Sequence, residues 1–407
     1  MLSKIFSFRM LVMLLLGYCS GLPLLLTAST LQAWMTTEGV SLTAIGMVSL
    51  ISAPYTFKFL WAPFLDRYTF PFLGRRRGWM IVTQMLTLLA IFGLSFFNPK
   101  TDLMMMAFFA FFIAFFSASQ DIVIDAYRRE IVIEEELGLA SSLYVNGYRL
   151  AMLVSGAFAL FLADQMSWKS VYQIMSLCMV PAIFFTFLAP REQDSIKAPL
   201  TLKQAVVEPL KDFFTRRGAF IILTFIMLYK VGDNMASNMT TPFILQSGYS
   251  KTDIATVAKT FGMGATLIGA LLGGMLMLRL KMKTALIIFG LFQAVSTLGF
   301  SILPSMPVHF TSLALIIGFE NLAAGMGGSA YAAYMASLTN KQFTATQYAL
   351  LSSLMAIPRV ILSSPTGKMA EVLGWEMFFV VCTFMALPGL ILLIPVFRLE
   401  KPTQATA

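Results

Sequence analysis

Apolar residues fill this chain in windows of about 20, the length that crosses a bilayer core about 30 Å thick. Predominantly apolar runs such as 11–16, 81–97, 104–116 and 377–397 anchor those windows. They predict twelve spanning helices, near 11–35, 42–65, 79–97, 102–127, 138–163, 169–189, 218–246, 252–278, 284–303, 309–337, 346–367 and 376–397. Residues at i, i+3, i+4 and i+7 share one side of a helix, so polar residues at that spacing mark faces turned away from lipid. Ser20, Thr27 and Thr30 form such a face in the first predicted span, Ser117, Asp121 and Asp125 in the fourth, and Ser142, Asn146 and Arg149 in the fifth. The seventh carries Lys230, Asn234 and Ser237 with Asp233 beside them, the tenth Glu320, Tyr331 and Tyr334, and the eleventh Ser352, Arg359 and Ser363. Both halves of the chain contribute, as a central cavity requires.

Nine ionisable side chains fall inside these windows: Lys58, Asp121, Asp125, Arg149, Lys230, Asp233, Lys259, Glu320 and Arg359. A charge at the bilayer centre costs about 2.5–3.5 kcal/mol on insertion scales, so each calls for a partner or a function. Counted from the nearer span end, Arg149, Lys230, Asp233, Glu320 and Arg359 reach the midplane region, whereas Lys58, Asp121 and Asp125 lie toward the cytoplasmic side and Lys259 toward the other. Mutual neutralisation is the competing reading: Lys230 and Asp233 are three apart on one helix, and Asp121 or Asp125 could pair with Lys58 or Arg149. Five cations against four anions still leave positive charge over, which suits an anionic cargo. Asp121, Asp125, Glu320 and Asp233 are the candidate proton carriers, because acids in poorly solvated surroundings bind protons more readily.

Composition agrees with a membrane protein. Of 407 residues 58% are hydrophobic and 12% charged, against about 25% charged in a soluble domain. With a cytoplasmic amino terminus, one face collects twenty Lys and Arg, among them Arg128 and Arg129, and the other face four, Lys100, Lys169, Lys251 and Lys368. That asymmetry predicts that both termini are cytoplasmic. The net charge of +9 then reflects loops facing an anionic leaflet and calls for no nucleic acid. A polar stretch divides the chain into a six-helix bundle over 1–190, a linker over 191–217 and a second bundle over 218–407. The expected fold is thus an all-α integral membrane protein of twelve transmembrane helices, two six-helix bundles around a central cavity, an architecture that resembles the major facilitator superfamily.

Other chemistries find little support. Cys19, Cys178 and Cys382 are far apart and sit inside spans, and the one histidine, His309, lies at a predicted span end. Neither a metal motif nor a cofactor motif results, and a monomer without cofactors is expected. The first apolar segment continues directly into GYCSGLP and is read as a span, not as a cleaved signal. Trp34, Trp61, Trp79, Trp168 and Trp375 read as interfacial anchors, and the 28 methionines as adaptable packing.

Between the second and third spans stands PFLDRYTFPFLGRRRGW, in which Asp66 and Arg67 precede Arg75, Arg76 and Arg77. It resembles the loop signature of the superfamily with stretched spacing, and the resemblance implies a cytoplasmic latch; with Lys58 these residues are the candidate gate. GLPLLLTASTLQAWMTTEGVSLTAIGMVSL, PYTFKFLWAPFLDRY, SASQDIVIDAYRRE, YKVGDNMASNMTTPFILQSGYS, ENLAAGMGGSAYAAYMASLTN and FTATQYALLSSL, in order and in both halves, resemble the AmpG-type muropeptide permeases. That resemblance implies proton-driven import of anhydromuropeptides across the bacterial inner membrane for cell-wall recycling. Some of these permeases carry extra carboxyl-terminal spans, which are not expected in this chain. A cargo with sugars, amides and carboxylates would be met by Arg149, Lys230 and Arg359 with Asn146, Asn234, Glu320, Tyr331 and Tyr334. QDIVIDAY also resembles the eukaryotic acetyl-coenzyme A transporters, so another anionic metabolite is the alternative cargo. A membrane-embedded enzyme is the alternative of a different class; no nucleophile and base pair and no phosphate loop supports it.

Overall fold

The computed structural model describes residues 7–40, 51–70, 73–191, 201–249, 253–361 and 365–399. Those residues form helices and short connections, with a single isolated bridge between Phe70 and Gly74. The first part comprises α1 (Phe8–Leu26), α2 (Ser29–Thr37), α3 (Ala53–Phe57), α4 (Ala62–Arg67), α5 (Arg75–Leu94), α6 (Leu103–Ile131), α7 (Leu137–Leu153), α8 (Trp168–Leu177) and α9 (Val180–Leu188). A linker helix α10 (Leu202–Phe214) follows, then α11 (Ala219–Leu228), α12 (Val231–Gln246), α13 (Gly262–Leu276), α14 (Met282–Ile302), α15 (Phe310–Ser337), α16 (Thr344–Ile361) and α17 (Thr366–Leu399). Among the described residues, ten helices or helical runs are long and apolar enough to cross a membrane. This is a multi-pass membrane protein.

The two expected spans outside those ten differ for physical reasons. Residues 41–50 of the second lie outside the described residues, and the remainder is broken into α3, a 3-10 turn Lys58–Leu60, and α4. Pro54 and Pro63 each occupy the first turn of a short helix, where the missing N–H costs nothing. The eleventh corresponds to α16, which opens on the polar run TATQ; residues 362–364 and the side chain of Arg359 lie outside the described set. The last span is preceded by a further helical stretch, since α17 is kinked at Gly374, whose φ of 74° belongs to the left-handed region that glycine tolerates.

Contacts group Met1–Pro209 and Ala336–Ser353 into one compact unit, and Leu210–Met335 and Leu354–Ala407 into another. In the first, Cys19, Leu22, Leu26, Trp34, Ile91, Met106 and Tyr172 share a buried apolar core. Its α1 and α7 meet backbone to backbone. A Cβ on Gly17 would stand 2.0 Å from the Tyr144 carbonyl oxygen, and one on Gly147 would stand 1.9 Å from that of Leu14. Gly17 and Gly21 are four apart and so face the same way, the small-residue device by which membrane helices approach closely. The second unit has its own aromatic core, in which the Phe243 ring packs on Phe300, Trp375 and Phe379 with centroids 5.9, 5.3 and 4.7 Å away.

Candidate transport site and gate

The first polar constellation is built at the end of α4 and the start of α5. Asp66 is fully buried. Its Oδ1 accepts from Arg76 Nη2 at 2.7 Å and Arg75 Nη2 at 3.3 Å. Its Oδ2 accepts from the Thr346 backbone N–H at 2.8 Å and the Thr346 hydroxyl at 2.6 Å. Thr346 lies in the first turn of α16, where N–H groups lack helical partners and the helix dipole favours negative charge. Arg76 completes its fork on Glu130 of α6, through Nη2 at 2.7 Å and Nε at 3.0 Å. Arg75 also donates to the Gln342 carbonyl at 2.9 Å. Two guanidinium groups and two carboxylates thus balance inside the protein.

Arg67 and Arg77 stand apart from this network. Arg67 lies 5.5 Å from the centre of the Tyr68 ring, and Arg77 donates to the Phe187 carbonyl. Arg75 and Arg76, counted as loop charges in the positive-inside tally, are buried in the fold.

The second constellation lies along α6. Asp121, Asp125 and Arg128 are spaced four and three apart and share a face. Arg128 is fully buried and donates through Nη2 to Asp125 Oδ1 at 3.0 Å and to the Tyr348 hydroxyl at 2.9 Å. Its guanidinium also stands over the Tyr144 ring at 4.6 Å and the Tyr348 ring at 5.5 Å. Buried Lys58 lies within electrostatic range of both Asp121 and Asp125. Asp121 Oδ1 is buried with no hydrogen-bond partner among the described residues. Asp125 is therefore held by a fixed cation, while Asp121 keeps an oxygen uncommitted.

The remaining expected site residues fall into separate local settings. Lys230 and Asp233 form an ion pair at 3.0 Å, as the neutralising alternative anticipates. Asp233 also borders a small pocket with Tyr229, Gln293 and Thr297. Glu320 accepts from Asn321 Nδ2 at 3.0 Å, and the Thr266 hydroxyl donates to Asn321 Oδ1 at 2.8 Å. Tyr331 and Tyr334 are buried in the second unit: the Tyr331 hydroxyl donates to the Ile226 carbonyl and its ring stacks on Tyr229, while Tyr334 meets Phe225 edge-on. Asn146 donates to the Ser142 carbonyl within its own helix at 3.0 Å. Arg149 and Asn234 are half-buried.

Arg128, Glu130, Tyr144, Thr346 and Tyr348 are the participants that sequence reasoning did not single out. Arg128 closes an apolar run, the position of a loop charge. The i, i+3 spacing from Asp125 was the one available signal of its partner.

Residues 10–363 match the model of the Major Facilitator Superfamily. The chain belongs to that superfamily. Within it, the anhydromuropeptide permease of Escherichia coli K12 is 48% identical over 388 residues, covering 95% of this chain and 79% of that protein. A putative transporter, AmpG 4 of Rickettsia felis, is 34% identical over 97% of this chain and 98% of its own length. In structure, the proton:xylose symporter XylE is similar with a TM-score of 0.72 at 13% identity, covering 97% of this chain and 96% of that one. FucP in its outward conformation gives 0.70 at 13% identity, covering 98% of this chain and 100% of that one. These distant structures share the fold, and the superfamily chain is a transporter, not an enzyme.

Proposed function

We propose that this transporter imports anhydromuropeptides across the bacterial inner membrane by proton symport, with both termini cytoplasmic. The observation that carries the cargo is the 48% identity to the Escherichia coli anhydromuropeptide permease across 95% of this chain. No specific observation favours the acetyl-coenzyme A alternative over it. Arg149, Lys230 and Arg359 are the proposed carboxylate contacts, with Asn146, Asn234, Glu320, Tyr331 and Tyr334 on the polar faces beside them. For Tyr331 and Tyr334 the buried settings make ordering of the second unit the part of that role the geometry supports.

Proton coupling is supported by the face of α6. Asp121 has a buried oxygen without a hydrogen-bond partner among the described residues and a neighbouring carboxylate, whereas Asp125 is committed to Arg128. Asp121 is accordingly the leading proposed carrier, ahead of Asp125, Glu320 and Asp233. The Asp66, Arg75, Arg76 network is the proposed cytoplasmic latch, with Lys58 close to the carrier pair and Arg67 and Arg77 at its margin.

Uptake of labelled anhydromuropeptide into proteoliposomes, with and without an inward proton gradient, tests this reading. Wild type should accumulate cargo only with the gradient, Asp121→Asn should lose accumulation while retaining exchange, and Arg149→Ala and Arg359→Ala should weaken uptake. Accumulation independent of the gradient would remove symport, and normal uptake by both arginine variants would remove the cargo contacts.

A further inference from the structure

A cavity of about 450 Å³ opens on the flank of the first unit. Leu60 and Phe64 on one side and Leu202 and Val206 of α10 on the other line it, and each is between 41% and 66% exposed, so the cavity opens outward. Trp61 and Trp79 lie along its walls. The polar groups within reach are already used: Trp61 Nε1 donates to Ser119 Oγ at 2.9 Å, that hydroxyl to the Phe115 carbonyl at 2.8 Å, and Trp79 Nε1 to the Tyr68 carbonyl at 2.7 Å. The occupant must therefore be apolar.

Size and charge narrow it further. A methylene takes up about the volume of a water molecule, roughly 30 Å³, so the cavity holds most of one acyl chain. Two cations are neighbours in sequence of its lining residues: Arg67, at the margin of the proposed latch, and Lys203 of α10. Arg67 follows Phe64 by three residues and makes its described contact with the Tyr68 ring, outside the Asp66 network. Lys203 is exposed and follows Leu202 directly. The acids of α10 are placed elsewhere: Asp212 binds Arg216 at the far end, and Glu208, two residues beyond Val206, falls on another face.

We propose that this cavity binds one acyl chain of an anionic phospholipid, with its headgroup between Arg67 and Lys203, so that the lipid fastens the linker helix α10 to α4 and α5. The helix α10 is amphipathic, with Lys203 and Lys211 offset by Glu208 and Asp212 along its length, and a cation at the membrane surface attracts an anionic headgroup.

Brominated phospholipids quench tryptophan on contact, and Trp61 and Trp79 provide the reporters. The quenching lost in the Trp61→Phe, Trp79→Phe double variant isolates the cavity signal of the full-length protein in mixed vesicles. Brominated phosphatidylglycerol should saturate that signal at a several-fold lower mole fraction than brominated phosphatidylcholine. Val206→Phe, which fills the cavity, should abolish the saturable component. Arg67→Ala with Lys203→Ala, both toward the surface, should erase the headgroup preference while quenching persists. Quenching that rises linearly and equally with both lipids would reduce the contact to ordinary annular lipid and overturn the proposal, as would a headgroup preference unchanged in the double charge variant.

Discussion

Asp66 divides its two oxygens between two tasks: Oδ1 holds the Arg75 and Arg76 guanidinium groups and Oδ2 caps the start of α16 through Thr346. Breaking a buried ion pair leaves an uncompensated charge and costs about 3–5 kcal/mol, whereas loss of a cap costs about 1 kcal/mol. Asp66→Asn should therefore lower the melting temperature in detergent clearly more than Thr346→Ala; equal shifts would mean that the charge balance contributes little. At Arg128 the distinction is geometric. Lysine keeps the charge but cannot serve Asp125 and the Tyr348 hydroxyl together while lying flat over Tyr144. A charge-assisted hydrogen bond is worth about 1.5–3 kcal/mol, so Arg128→Lys should slow uptake by tenfold or more, and an unchanged rate would assign Arg128 to charge alone. Asp66 and its arginines were legible in the chain because the acid and the basic run lie close in sequence. Thr346 and Tyr348 were not, because they arrive from more than 200 residues away.

Helices and their order follow from apolar periodicity, and most predicted spans lie within a few residues of the described helices. The second span, predicted over 42–65, is in its described part three short pieces, two of which begin at the prolines Pro54 and Pro63. The linker helix α10 escaped the apolar pattern, since its apolar positions are interleaved with Lys203, Glu208, Lys211 and Asp212. Gly17 and Gly21 are weak helix formers in the middle of the first span. In the structure they are what lets α1 reach α7, because side chains there would collide with backbone that cannot move aside. Gly17→Val should destabilise the protein by about 1–3 kcal/mol or more, the range for overpacking, and reduce the monodisperse fraction in size-exclusion chromatography. Gly264 is the control: a Cβ there meets nothing within 4 Å, and Gly264→Ala in an embedded helix should leave the profile intact or improve it.

For the whole molecule, the charges of cargo and carrier decide how the proton gradient is used. A cargo of net charge −1 moved with a single proton, the number one carrier acid such as Asp121 can deliver, transfers no net charge. Its distribution should then follow the pH difference alone, about tenfold for each pH unit, since a tenfold ratio corresponds to 1.36 kcal/mol. Membrane potential, worth about 2.3 kcal/mol per charge at 100 mV, should add nothing. Proteoliposomes with the potential clamped by potassium and valinomycin separate the two forces. If accumulation tracks the potential at zero pH difference, more protons than cargo charges are moved, and a second acid must join Asp121. Asp125 is then the first to test, because freeing it requires Arg128 to let go: Asp125→Asn should make uptake electroneutral again, while Asp121→Asn should abolish accumulation in either case.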